Sequence, residues 1–104
     1  MTVSAFLSVS PEVEGSMAPE IAEAIAALEG FDVEYETTPM GTILEGDDVA
    51  DVFAAARAAH EAVEADRVGT FIKIDDKRTS DEPAAAKVDA VEQHLGQEAS
   101  SREP

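Results

Sequence analysis

The side chains best suited to holding a small polar ligand lie near the middle of the chain, in the segment YETTPMGT at residues 35–42. Thr37, Thr38 and Thr42 carry hydroxyl groups that can donate and accept hydrogen bonds, and Met40 carries a soft thioether. Such a row of groups at the edge of a sheet suits a small polar heterocycle. Threonine is also a favoured strand residue, so composition alone favours a plain hairpin tip.

The other polar candidates have simpler interpretations. His60 lies on the apolar stripe of a predicted helix, which is typical of a packed histidine at the core or its boundary, and His94 lies near a predicted helix end. No fixed spacing links the two histidines, so a metal site built on them is not expected. Lys73 and Arg78 are two of only seven basic residues. Local charge balance explains them, because surface ion pairs contribute little.

The sequence pattern does not predict catalysis. Residues 47–48 and 75–76 are pairs of adjacent aspartates. Helix capping and the high acid content explain them better than paired-carboxylate chemistry. Ser8 and Ser10 have no His–Asp pattern nearby that would activate a nucleophile, and the glycines form no phosphate-binding loop. The sequence therefore predicts a protein that is not an enzyme and that holds no metal or cofactor.

The charge balance limits the partners that this chain can have. Its 104 residues include 23 acidic and 7 basic ones, for a formal net charge of −16. That charge argues against nucleic acid and anionic membranes as partners. It is typical of a folded domain adapted to a high-salt cytosol, where counterions screen self-repulsion. Without cysteines, a membrane-length apolar run or a basic leader, the chain is predicted to be soluble and cytoplasmic.

Hydropathy patterning predicts one domain with the element order βαββαβ and an added helix at the end. Strands have alternating apolar residues, and helices have apolar residues three and four apart. The predicted elements are a strand at 3–9, a helix with its stripe at 21–28, a hairpin at 31–46, a helix with its stripe at 49–63, a strand at 68–74 and a helix at 82–95. This order is that of an α+β ferredoxin-like domain, with a four-stranded antiparallel sheet and two helices on one face. Residues 1–95 form the domain, and residues 96–104 form a polar flexible tail.

One face of the predicted sheet has no helix to cover it. The alternation places five residues on that face, namely Ser4, Phe6, Ser8, Phe71 and Lys73. Because two phenylalanines would be left in water, this face should pack against a second subunit or hold a ligand.

Four motifs together resemble the thiamine-binding protein family. They are YETTPMGT at residues 35–42, EG at 45–46, AHEAV at 59–63 and IKIDDKR at 72–78, and the similarity extends over residues 2–95. The resemblance implies a ferredoxin-like subunit that forms dimers, usually paired into tetramers through their sheets. It also implies binding of thiamine, or of its hydroxymethylpyrimidine half, without chemistry. The chain departs from the family pattern in its acidity, its serine-rich first strand and its longer tail.

A ligand of this kind would need hydrogen-bond partners for an aminopyrimidine and an apolar or aromatic platform. Among the candidates, hydroxyls would supply the hydrogen bonds, Phe6 and Met40 the platform, Glu36 an acceptor for the exocyclic amine, and the two basic residues a contact to a phosphate ester. The predicted ligand-binding residues are Phe6, Ser8, Glu36, Thr38, Met40, Thr42, Lys73 and Arg78.

Two other functions remain open at this point. The chain could be a regulatory or structural oligomerisation module whose exposed sheet binds only protein. It could also be an enzyme of thiamine or pyrimidine metabolism, an interpretation that no visible nucleophile–base pair or metal set favours.

Overall fold

A computed structural model of the chain describes residues 1–101, so the last three residues of the predicted tail lie outside the described part. The elements are β1 (Thr2–Pro11), α1 (Ala18–Ala27), a 3-10 turn (Leu28–Gly30), β2 (Glu34–Thr38), β3 (Gly41–Gly46), α2 (Val49–Ala62), β4 (Val68–Lys77) and α3 (Ala85–Leu95). All strand pairs are antiparallel, and the strand order is β2-β3-β1-β4. The predicted ferredoxin-like α+β fold is confirmed.

The core lies between one face of the sheet and helices α1 and α2. Val3, Ala5, Leu7 and Val9 of the central strand β1 are all buried on that face, as the alternation predicts. Opposite them the helices present mostly alanine, at positions Ala24, Ala55, Ala56 and Ala59. Small side chains let the helix backbones come close to the sheet, which is how a chain with few large apolar residues reaches close packing.

The second strand begins later than predicted, at Glu34 instead of near residue 31. The amide of Phe31 donates to Leu28 O at 3.2 Å, and the amide of Val33 donates to Phe31 O at 2.9 Å. These local turn bonds use the backbone groups that a longer strand would need for pairing. Phe31 and Val33 still pack against the core, which explains why their hydropathy suggested a strand.

The stripe predicted for helix α2 is confirmed at Val52, Ala56 and Val63, which are buried, and is wrong at two other positions. The expected stripe included Phe53 and His60, yet both side chains are exposed, Phe53 by 55%. Ala55 and Ala59, which the predicted stripe did not include, are buried. Alanine gives a weak hydropathy signal, so the predicted stripe included the larger phenylalanine and missed these two alanines.

The second face of the sheet, called the open face below, carries Phe6, Phe71 and Lys73 as predicted. The rings of Phe6 and Phe71 meet edge to face, with their centroids 6.2 Å apart, and Phe71 is 60% exposed. Helix α3 begins over the far end of this face, where the amide of Ala84 donates to Glu45 Oε1 at 3.2 Å. It does not bury Phe71, so the prediction of uncovered aromatic surface is confirmed.

Candidate ligand-binding site

A cavity of about 200 Å³ opens where the β2–β3 turn meets helix α1. Its floor is the end of the sheet, with Leu7 and Val9 of β1. One wall is formed by Ile21 and Ile25 of α1 and by Met17, the residue just before that helix. The opposite wall is the turn that joins β2 to β3. The cavity therefore lies on the helix side of the sheet, and the open face lies on the other side.

Hydroxyl groups are the main polar groups in this cavity. Thr37 Oγ1 and Thr42 Oγ1 lie 3.3 Å apart, and either can donate to the other. Thr42 is 4% exposed, so its hydroxyl is held in an interior position. A hydroxyl has one donor and two acceptor sites. The bond between these two leaves acceptor sites on both residues and one spare donor for a guest.

The hydroxyl of Thr38 is already occupied by the turn. It donates to Gly41 O at 2.8 Å, and it accepts from the amides of Met40 and Gly41 at 3.2 and 3.3 Å. These three bonds use its whole hydrogen-bonding capacity. Thr38 therefore shapes the cavity wall and has no free donor or acceptor in this conformation.

Every cavity-lining residue within residues 1–101 is uncharged. This is unusual in a chain where 29% of residues carry a charge. The lining is apolar and hydroxyl-bearing, which suits an uncharged planar ring and disfavours an ion, since burying an unpaired charge is costly.

Four of the eight predicted site residues line this cavity: Ser8, Thr38, Met40 and Thr42. Ser8 pairs with Phe71 on the open face, and it lines the cavity where the pairing between β1 and β3 ends at Leu7 and Thr42. Met40 is 80% exposed and lies at the rim. Sequence reasoning named Thr37 without including it in the site. It predicted the stripe of α1, with Ile21 and Ile25, without assigning that stripe to a site.

The other four predicted site residues do not line the cavity. Phe6 and Lys73 face each other across β1 and β4 on the open face, and Glu36 lies on the same face, opposite Ile43. Arg78 lies at the other end of the sheet, where its Nε donates to Asp76 Oδ2 at 3.2 Å. The structure thus divides the eight residues between the cavity, the open face and one far corner.

Neither histidine lines the cavity. His60 Nδ1 is hydrogen-bonded to Thr70 Oγ1, between α2 and β4, and His94 Nδ1 lies 3.0 Å from Ala90 O. Within the part of the chain that is described, no cluster of three or more His, Asp or Glu side chains could hold a metal ion. The same residues contain no helix long and apolar enough to cross a membrane.

A family model for thiamine-binding proteins matches residues 5–92. The chain belongs to the thiamine-binding protein family. A UPF0045 protein of Methanothermobacter thermautotrophicus is 39% identical over 98 residues, which are 89% of this chain and 99% of that one. The UPF0045 protein YqgV of Bacillus subtilis is 37% identical over 87 residues, covering 77% of this chain and 83% of its own.

Solved structures of similar proteins have the same fold as this member of the thiamine-binding protein family. The hypothetical protein MJ1052 of Methanocaldococcus jannaschii superposes with a TM-score of 0.79 at 32% identity, over 86% of this chain and 95% of that one. A Thermotoga maritima protein ascribed to thiamine biosynthesis or salvage superposes with a TM-score of 0.73 at 23% identity, over 88% of this chain and 99% of that one. At that identity the likeness concerns the fold.

Proposed function

We propose that this protein binds an aminopyrimidine without converting it, either hydroxymethylpyrimidine itself or thiamine through that half. The observation that carries the proposal is the uncharged, hydroxyl-bearing cavity in a chain with a net charge of −16. The apolar side chains of Ile21 and Ile25 would contact the faces of the ring, and the Thr37–Thr42 pair would meet its polar edge. The family membership supports the same ligand class.

The size of the cavity favours one ring over the whole vitamin. Drug-sized ligands occupy pockets of roughly 300–1,000 Å³, whereas this cavity has about 200 Å³. A pyrimidine would enter it, and a thiazolium attached to the pyrimidine would remain near the mouth. There the acidic surface of the protein would attract the cation. Lys73 and Arg78 lie outside the cavity lining, so a phosphate ester would gain no contact with them.

Calorimetric titration with hydroxymethylpyrimidine, thiamine and thiamine diphosphate tests the proposal. We expect thiamine to bind at least as tightly as hydroxymethylpyrimidine, because the acidic surface attracts its cation, and the diphosphate to bind more weakly, because the protein repels anions. No heat at millimolar ligand, in low and in high salt, would rule the proposal out.

The Thr42→Val variant tests the role of the hydroxyl pair. Valine keeps the shape of threonine and removes one hydrogen-bonding group, so we expect the Kd for hydroxymethylpyrimidine to rise about fivefold, from a loss of about 1 kcal/mol. Thr2→Val is the matched control, since Thr2 is also buried, at 7% exposure, but does not line the cavity. Equal affinities for the two variants would place the ligand elsewhere.

We also propose that two copies of the chain pair through their open faces. Phe6, Phe71 and Ile43 lie together on this face, and Phe71 and Ile43 are 60% and 36% exposed. An aromatic patch of this kind usually marks an interaction surface. Pairing of identical faces about a two-fold axis would bury this patch on both copies.

Sedimentation of Phe71→Ser tests the pairing. We expect this variant to be a monomer at concentrations where the parent protein is assembled. The control is Phe53→Ser, which changes a similarly exposed phenylalanine on the outer side of α2 and should leave the assembly intact. If the parent protein is itself a monomer, or if both variants assemble normally, this face is not the interface.

The same experiments separate the second candidate function, an oligomerisation module without a small ligand. The exposed open face is the observation that favours it. Assembly that depends on Phe71, combined with no heat from any of the three ligands, would support the module and exclude the binding function.

A further inference from the structure

Helix α3 is attached to the rest of the protein in an unusual way. Within residues 1–101, none of its residues is buried. Its apolar stripe is uncovered, with Val88, Val91 and Leu95 exposed by 51%, 56% and 53%. Packing of an apolar face holds most helices in proteins, and here that contribution is small.

Polar contacts at the beginning of α3 take the place of this packing. Lys87 on α3 pairs with Asp75 on β4, and Lys77 on β4 pairs with Glu82, just before the helix, at 2.8 Å. The N-terminal ammonium of Met1 pairs with Asp81. The fourth contact is the bond from the Ala84 amide to Glu45 on β3. Two of the three lysines in the chain are thus used in this one attachment.

All three ion pairs are exposed to solvent, and every side chain in them is at least 42% accessible. Exposed pairs are individually weak and are screened by salt. The Debye length falls from about 30 Å at 0.01 M to about 3 Å at 1 M ionic strength, so the attachment weakens over that range.

We propose that α3 is a salt-released arm, held against the end of the open face by these ion pairs at low ionic strength and freed from it at high ionic strength. Release breaks the contacts that join the beginning of α3 to strands β3 and β4. It uncovers the end of the open face that Ser4 and Thr2 occupy, where α3 now encloses a small cavity with the sheet.

Acid should release the arm in the same way. Hydrogen bonding to Lys87 lowers the pKa of Asp75, with the charges of Lys77 and Lys73 adding to the effect. Contact with Lys77 lowers the pKa of Glu82, and contact with the N-terminal ammonium lowers the pKa of Asp81. Because these pKa values are depressed in the folded protein, the attachment is complete above about pH 4–5 and is lost as protonation proceeds below that range.

Distance measurement between two spin labels tests the proposal. The chain has no cysteine, so Glu23→Cys on α1 and Gln93→Cys on α3 can be labelled uniquely. Diluting labelled chains with unlabelled ones keeps the measured distances within single chains. At low salt and pH 7 we expect one narrow distance distribution, which broadens about twofold in 1 M KCl as the exposed pairs are screened.

Variants separate the ion pairs from other effects of salt. Lys77→Met with Lys87→Met should broaden the distribution already at low salt. So should Asp75→Asn with Glu82→Gln, which removes the same pairs from the acidic side and makes the net charge less negative. Arg57→Met is the control, because it removes a basic residue paired with Glu61 within α2 and should leave the distribution narrow. A distribution that stays narrow in both double variants, or that is already broad in the parent at low salt, would overturn the proposal.

Discussion

Gly41 lies where the turn after β2 passes over the first strand. A Cβ at this position would be 2.7 Å from Cε1 of Phe6 and 2.9 Å from the backbone oxygen of Leu7. The ring could move aside, but the backbone oxygen belongs to the central strand and cannot. Because glycine has no Cβ, the turn can pack against the sheet here and form a wall of the cavity.

Gly41→Ala should destabilise the protein by about 1–3 kcal/mol, the usual cost of overpacking, and should weaken ligand binding by displacing the turn. Urea unfolding and calorimetry measure the two effects. Gly30→Ala is the matched control, because no atom lies within 4 Å of the added carbon there. Unchanged stability in Gly41→Ala would mean that the turn adjusts without cost.

Individual residues of the candidate site could be predicted only in part. Sequence pattern identified the hydroxyl row, and the structure places Thr38 and Thr42 in one cavity lining. It could not reveal that the hydroxyl of Thr38 is already used by the turn, because that depends on local backbone geometry. The sequence pattern also could not show that Phe6 and Lys73 lie outside the cavity. Alternation assigns residues to a face of the sheet, but it does not show where a helix packed on that sheet leaves a cavity.

At the scale of elements, α2 shows which signals are reliable. The sequence predicts that Asp47 or Asp48 caps this helix, and in the structure Asp48 Oδ1 accepts from the amide of Ala50 at 2.9 Å. A cap is a local feature with a residue-type signature, so sequence reveals it. The buried side of the same helix is set by contact with the sheet, and hydropathy alone extended that side wrongly to Phe53, which is exposed.

Asp48→Ala should lower the free energy of unfolding by about 1 kcal/mol through loss of this cap. Thermal or urea unfolding measures the change. The neighbouring Asp47→Ala makes the same change in net charge without removing a capping bond, so it should have little effect. Equal losses in the two variants would indicate a charge effect and not a capping effect.

At the scale of the whole molecule, the net charge and the thin shape both affect the stability of the compact state. The Cα trace measures only 19 Å along its shortest axis, as expected for one sheet covered by one layer of helices. A thin body leaves a large surface for its size, and this surface carries a net charge of −16. Repulsion among these charges opposes the compact state. Adaptation to a high-salt cytosol stays a prediction from composition.

Stability should therefore rise with KCl as the repulsion is screened, most steeply below about 1 M, where the Debye length is still falling. Urea unfolding at a series of KCl concentrations measures this. Sucrose at matched water activity is the control, since it promotes burial without screening charge. Stability that fell steadily as KCl rose would contradict the prediction.

The uncharged wall of the cavity has a consequence for how the protein would perform as its ionic surroundings change. A neutral guest exchanges no counterions with the solvent when it enters, so its affinity should hardly vary between dilute buffer and brine. Salt would change the folding stability, the attachment of α3 and any association of subunits. It would not change the affinity for a small neutral ring. Ligand affinity would thus stay constant in a protein whose other properties depend on salt.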